Sequence, residues 1–364
     1  MKKKLQLFVI LALVCTLLSA QSPIDYYNPA FGKSNIALRL ALQDIIDGHT
    51  NVGYDGLWKV YRVSDIRDDG KVWDMYSTCN WTPGNSQCGN YKTVCDCYNR
   101  EHSVPQSWFG KRSPMVSDAF HIYPTDGKVN GQRNDHPFGE CENGVKCDNN
   151  SNSLGRLGNS TFSGYTNVGT VFEPEDEYKG DFARTYFYMA TRYADQDFTS
   201  GSGNKVFTHS NSGNPKCNLT SYSVALFIKW HRQDPVSPKE IDRNNAIYEF
   251  QKNRNPFVDF PQLAEYIWGD SIAYVFDPTA PPNQLEEIKV VPPTIYVADA
   301  TLYVNASSEG FVTQLYNVYG QLIAQEQSTS TTYNILLEQD RLYIVRITDH
   351  KGNSWTYKIL SNNK

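Results

Sequence analysis

Beyond residue 20 the sequence has no run approaching the ~20 apolar residues of a bilayer-spanning helix, which argues for a soluble mature chain. It has no C-x-x-C pair, and its C-x-C and C-x5-C spacings lack histidines at ligand spacing, so a structural zinc site is disfavoured. It has no internal repeat and no low-complexity tract, which sets repeat arrays aside. It also lacks an excess of basic residues, since 34 Lys and Arg face 39 Asp and Glu. That balance argues against a polyanionic partner, although a cleft lined by a few cations can focus a local field on an acidic protein.

What is present is enough for a large core: 364 residues exceed one ordinary domain, with 40% hydrophobic content and 13% aromatics. The opening "MKKKLQLFVILALVCTLLSA" has lysines, an apolar run and small residues at Ser19 and Ala20, the layout of a secretory signal peptide cleaved after Ala20. Cys15 raises a lipoprotein anchor as the lesser alternative, because Val14 before it is bulky for such a cleavage site. Loss of residues 1 to 20 leaves 31 basic against 39 acidic residues, a net charge of −8.

Seven cysteines follow the leader, namely Cys79, Cys88, Cys95, Cys97, Cys141, Cys147 and Cys217. In an exported chain disulfides are the expected reading. Cys141 and Cys147 flank Gly144 and are expected to pair locally. Seven is odd, so at least one thiol is left free or pairs with another chain, and the remaining pairing stays open.

Along the chain, Ser34 as N-cap, apolar Ile36, Leu38, Leu42, Ile45 and Ile46, and a stop at Gly48 predict a core helix. Residues 51–125 read as short extended pieces and turns, with "DAFHIYP" as a strand. "DFARTYFYMATRYA" (181–194), starting at a capping Asp181, predicts a well-buried helix. "SVALFIKWHRQD" (223–234) predicts another, closed by Pro235. Ser237, Pro238 and Glu240 form a capping box that opens a helix from Pro238 to about Lys252. From Asp277 to residue 293 a proline-rich stretch reads as a linker. Residues 294–364 then carry β-branched and aromatic runs, with a turn at Asp349 to Gly352, expected to form a small β-sandwich-like module.

The chemistry concentrates in "YNREHSVPQSWFG" (98–110). A histidine titrates near neutrality and suits a general base for water, which assigns that role to His102. The adjacent Glu101 needs separate employment, and a hard cation such as Mg²⁺ takes one or two protein oxygens while keeping several waters. Neighbours on a strand face opposite ways, so both side chains can serve one site only where the strand ends, as Pro105 suggests. A second oxygen ligand is sought in "DAFHIYPTDGKVNGQRND" (118–135), where Asn130 is the candidate. The two stretches read as strand, connection, strand, helix, the outline of a ββα metal hairpin.

These stretches, together with "FARTYFYMATRY", "KWHRQDPVSPKEIDRNNAIYEFQKNRNPFVDFP" and a closing "IW", resemble the endonuclease I family of secreted non-specific nucleases over roughly residues 25–275. The resemblance implies a ββα-metal site, with His102 as general base and Glu101 and Asn130 as ligands of one Mg²⁺, Mn²⁺ and Ca²⁺ being the alternatives. It implies hydrolysis of DNA, and of RNA as well, to 5′-phosphate ends. Some relatives carry a phosphate-binding arginine in an insertion between the hairpin strands, where this chain has only Lys111 and Arg112. Arg133, Arg243 and Arg254 are the other candidate substrate contacts, with ion pairs to Asp135, Asp242 or Asp259 as the competing assignment. His121, His136 and His231 are assigned packing roles.

The C-terminal "LYNVYGQLI", "RLYIVRI" and "GNSWTYKIL" resemble the sorting domain of the type IX secretion system, which implies a partner in the secretion machinery and a secreted or cell-surface location. An Ig-like spacer is the alternative. The expected whole is an α+β protein: a mostly helical domain (21–276) with a ββα hairpin, then a linker and a small all-β domain (294–364), acting as a monomer. The rival readings are a catalytically idle nucleic-acid-binding protein and another secreted metal-dependent phosphoesterase.

Overall fold

A computed structural model describes residues 23–279, 292–306, 310–349 and 354–361. The expected leader (1–20) and the middle of the proline-rich stretch lie outside the described residues. The chain divides into two compact units between Ala280 and Pro281.

In chain order the first unit comprises α1 (Pro23–Tyr26), α2 (Asn35–Ile46), α3 (Leu57–Ser64), β1 (Tyr98–His102), β2 (Ile122–Asp126), α4 (Gly127–Arg133), β3 (Arg156–Asn159), β4 (Thr170–Glu173), α5 (Lys179–Arg192), β5 (Phe207–His209), β6 (Cys217–Leu219), α6 (Ser221–Gln233), α7 (Pro238–Gln251), α8 (Pro256–Asp259) and α9 (Leu263–Trp268). Among the described residues of this unit the strands form three antiparallel two-stranded ribbons, β1-β2, β3-β4 and β5-β6, so helices carry the core.

Every residue of α5 is buried, so this helix lacks a solvent face on which to leave its polar tips. Each such group needs a protein partner, and several find theirs around the β1-β2 ribbon. Tyr186 Oη donates to the Ser103 carbonyl at 2.8 Å, Thr185 Oγ1 and Tyr123 Oη share a 2.6 Å bond, and Tyr188 Oη donates to Asp118 at 2.8 Å. Phe138 packs on Phe182 and Tyr186 of the same helix, Phe227 packs on Tyr186, and Trp230 backs Phe138, all in edge and tilted contacts. The central helix is thus both the core and the fixed support of the ribbon.

Several expected boundaries move. α5 begins at Lys179, with Asp181 inside the first turn and bonded to Arg184 rather than capping. Ser34 stands at the N-cap of α2 without a side-chain cap bond, and Ile36 is exposed while Leu38, Leu42 and Ile46 point inward. The strand read in "DAFHIYP" starts only at Ile122, because Asp118 accepts the Phe120 N–H and winds Ala119–His121 into a 3₁₀ turn. The α7 capping box forms as expected, Ser237 and Glu240 each accepting the other's backbone N–H.

Cys79 pairs with Cys95 and Cys88 with Cys97, stapling the loop that leads into β1. Cys141 and Cys147 do not pair, and with Cys217 they are buried free thiols. A tight turn returns Gly144 N–H to the Cys141 carbonyl, after which Val145 pairs with Leu157 in extended backbone. Cys147 is carried onward into its own 3₁₀ turn, while Cys141 Sγ rests against the Arg156 carbonyl.

The second unit is all-β. β7 (Thr294–Ala298), β8 (Thr301–Asn305) and β11 (Thr332–Leu336) form one antiparallel sheet. β9 (Val312–Asn317), β10 (Leu322–Gln327), β12 (Leu342–Thr348) and β13 (Ser354–Leu360) form the other. Leu302 and Val304 from the first sheet share a core with Leu315, Val345 and Ile347 from the second, a sandwich built from alternating inward residues. The turn expected at Asp349 to Gly352 falls largely outside the described residues.

Candidate active site

β1 and β2 pair with Glu101 opposite Tyr123 and His102 opposite Ile122, and α4 follows β2 without a break. Asp126 makes that junction, since its Oδ1 accepts from Lys128 N and Val129 N as an N-cap while its Oδ2 accepts from Cys95 N. The ribbon and helix therefore form the expected ββα unit, tied at its base to the stapled loop. β1 ends at His102, and this ending lets Glu101 and His102 border one cleft of about 440 Å³ together with Asn130.

Glu101 is buried, and its Oε1 accepts from Arg133 Nη1 at 2.8 Å and Tyr76 Oη at 3.0 Å. Burial pushes its carboxyl up to about 7 against the opposing pull of Arg133. His102 Nε2 lies 3.2 Å from the Val116 carbonyl, which can only accept, so Nε2 carries the hydrogen and Nδ1 keeps a free lone pair. Burial pulls the imidazole down to about 3, aided by its neighbour His121, so it is neutral at neutral pH. Tyr54 stacks on the ring with 5.8 Å between centroids, and Phe109 and His121 pack against it as well.

Asn130 lies on α4, where its Nδ2 donates to Asn99 Oδ1 at 2.7 Å, fixing the amide so that Oδ1 is the unspent atom. Glycines stand on both sides of it along the helix because Tyr91 lies across this face. A Cβ at Gly131 would sit 2.1 Å from Tyr91 Oη, and one at Gly127 would sit 2.6 Å from its ring. Among the described residues no protein group donates to Glu101 Oε2 or to Asn130 Oδ1. Two oxygens lining one cleft, one from a carboxylate and one from an amide, suit a hard cation that keeps most of its water. The tight cluster of His, Cys, Asp and Glu ligand atoms among the described residues is Cys79, Cys95 and Asp126, whose sulfurs are spent in a disulfide.

The three arginines expected at substrate lie elsewhere. Arg133 is fully buried, and besides Glu101 it donates to the His102 carbonyl at 3.0 Å and the Ser103 carbonyl at 2.8 Å. Arg243 is buried on Asp65 at 2.8 Å and donates to the Ala119 and Ile122 carbonyls, bracing the start of β2. Arg254 forms a two-pronged pair with Asp259 at 2.6 and 2.7 Å. Ion pairing accounts for all three, with Glu101 and Asp65 in place of the Asp135 and Asp242 expected from sequence, and Asp259 as expected. Arg133 and Arg243 instead hold the ribbon's backbone.

The cations that do line the cleft are Arg100 and Lys111. Gly110 and Lys111 both take left-handed backbone (φ 64° and 57°), a double turn that returns the chain toward the cleft. Arg112 is tied away, donating to the Asp197 carbonyl. Sequence reading also missed Tyr54, Tyr76 and Tyr91. Only Tyr91 left a trace, in the glycine spacing of "GKVNG".

Comparison with known proteins agrees with this architecture. Residues 34–262 match the family model described as Endonuclease I. The chain is 34% identical to an extracellular ribonuclease of Bacillus amyloliquefaciens over 67% of its own length and 78% of that protein's. It is 32% identical to an extracellular ribonuclease of Bacillus subtilis (strain 168) over the same shares. A periplasmic deoxyribonuclease of Aeromonas hydrophila is 26% identical over 40% of this chain and 48% of that protein. With the ββα unit and its cleft in place, the chain belongs to the endonuclease I family and is a nuclease.

Proposed function

We propose that this protein is an exported, Mg²⁺-dependent, sequence-non-specific endonuclease that hydrolyses DNA and RNA to 5′-phosphate ends. The observation that carries the reading is that one cleft is lined by a neutral imidazole with a free Nδ1 and by two unspent oxygens. His102 takes the proton of the attacking water at Nδ1, while its Nε2–H bond to Val116 and the stacked Tyr54 hold the ring in that attitude. Glu101 and Asn130 would hold the metal ion, which when bound neutralises charge building on the scissile phosphate and the departing 3′ oxygen. Arg133 and Tyr76 orient Glu101 so that its second oxygen faces the cleft. Lys111 supplies a cleft-facing charge for the phosphate, in place of the three arginines.

Relatives named as ribonucleases and as a deoxyribonuclease support testing both polymers. The leader-like first 20 residues and two disulfides support an oxidising destination outside the cytoplasm. We assign the second unit to export, as a sorting domain read by secretion machinery.

The test uses the oxidised mature chain (21–364) with supercoiled plasmid and with a structured RNA. Mg²⁺ is expected to support nicking and linearisation, EDTA to stop it, and His102→Ala to lower the rate by about 10²–10⁴-fold. Intact plasmid and intact RNA with folded wild-type protein would sink the proposal.

A further inference from the structure

The cleft does not end at His102. A second hollow of about 390 Å³ adjoins it, lined by Trp58 and Gln87 and sharing Tyr54, Asn99 and Arg100 with the first. Arg100 is the cation common to both. Its guanidinium carbon lies 3.5 Å from the centre of the Tyr54 ring and 4.7 Å from that of Trp58, so two aromatic groups hold it in place. Nη1 donates to the Tyr54 carbonyl at 2.8 Å and to Asp55 at 3.1 Å. No protein acceptor takes Nη2 or Nε among the described residues.

The counter-ion distinguishes Arg100 from the buried arginines. The Asp55 side chain is 96% exposed, whereas Glu101 and Asp65, which hold Arg133 and Arg243, are 3% and 0% exposed. With the Arg100 side chain 16% exposed and its carboxylate partner in open solvent, the pair contributes little and the partner exchanges readily, so Arg100 is a pre-positioned fork with a replaceable partner. It also stands two residues before His102 on β1, on the same strand face and about 7 Å along it. That is comparable with the step from one phosphate to the next along a nucleic-acid strand.

We infer that the second hollow is a subsite for the nucleotide adjoining the cleaved bond, where Arg100 exchanges Asp55 for that nucleotide's phosphate. Trp58 and Gln87 border its sugar and base. The inference rests on the nuclease reading and deepens it: the enzyme favours substrates that continue past the scissile bond. Because the recognition is of a phosphate and not of a base edge, it adds affinity without sequence preference.

The test compares two substrates with the full mature enzyme and Mg²⁺, a dinucleoside with a single phosphodiester and a 12-nucleotide single strand. Arg100→Met is expected to raise KM for the 12-mer about tenfold, the size of one lost charge-assisted contact, and to raise it far less for the dinucleoside. The salt slope for the 12-mer should fall by about 0.7, one phosphate contact on a single strand. Arg100→Lys should restore part of the affinity, and Asp55→Asn should lower KM for the 12-mer about twofold by removing the competing carboxylate. An equal fall in kcat on both substrates would overturn the subsite, showing that Arg100 acts on His102 through Tyr54. An unchanged KM and salt slope would overturn it too. Wild-type protein inactive on both substrates would instead overturn the nuclease reading itself.

Discussion

Arg133 shows how one side chain can be misread from sequence and prove more important for it. On a helix beside a candidate metal ligand, an arginine reads as a phosphate contact, yet this one is fully buried and spends its fork on Glu101, His102 and Ser103. Removing one member of a buried ion pair typically costs about 3–5 kcal/mol, because the partner charge is left unpaired. Arg133→Met is therefore expected to lower unfolding free energy by that amount in chemical denaturation, with Arg133→Lys intermediate because it keeps the charge and loses the fork. A variant of unchanged stability that bound nucleic acid more weakly would reinstate the phosphate role. That Glu101, His102 and Asn130 would line one cleft was legible because the first two stand at the end of β1 and the third on the helix that follows β2, so the hairpin's spacing brings them together. The partners of Arg133 and Arg243 were not, since those long side chains reach Glu101 and Asp65, 32 and 178 positions away, and no local pattern encodes that, whereas Arg254 pairs with the nearby Asp259. The same holds for Tyr54, whose ring reaches His102 from 48 positions upstream along the chain.

At the level of elements, legibility followed from whether a structure is specified locally. The α7 box was readable because Ser237, Pro238 and Glu240 satisfy the helix start among themselves. The strand in "DAFHIYP" was misplaced because Asp118 captures the Phe120 N–H while also receiving Tyr188, Tyr193 and Gln251, partners from distant elements. The Cys141–Cys147 pairing failed for a similar reason, as Val145 is drawn into a bridge with Leu157. The box also has a long-range duty, since Glu240 takes two bonds from Arg184 on α5. The two duties separate on mutation. Ser237→Ala removes one cap and is expected to cost about 1 kcal/mol, read as a shifted denaturation midpoint with an unchanged slope. Nuclease activity at 25 °C should remain, because the α7 start touches neither Glu101 nor His102. A loss of activity without loss of stability would mean that the α7 start is coupled to the cleft by a route other than stability.

At the scale of the whole molecule, every group assigned to binding or chemistry lies before residue 140, supported by helices that end at Trp268. The second unit has its own core of Leu302, Val304, Leu315, Val345 and Ile347, and the first has its own around α5. A domain with its own core folds and melts on its own account. Calorimetry of the mature chain is accordingly expected to resolve two transitions, one of which is lost when the chain is cut to residues 21–280. The truncated enzyme should keep kcat and KM on plasmid within about twofold, because Glu101, Asn130, His102 and the cations of the cleft all remain. Two unlinked transitions with preserved kinetics would place catalysis wholly in the first unit. A single cooperative transition, or a tenfold rise in KM on truncation, would mean instead that the β-sandwich contributes to holding substrate.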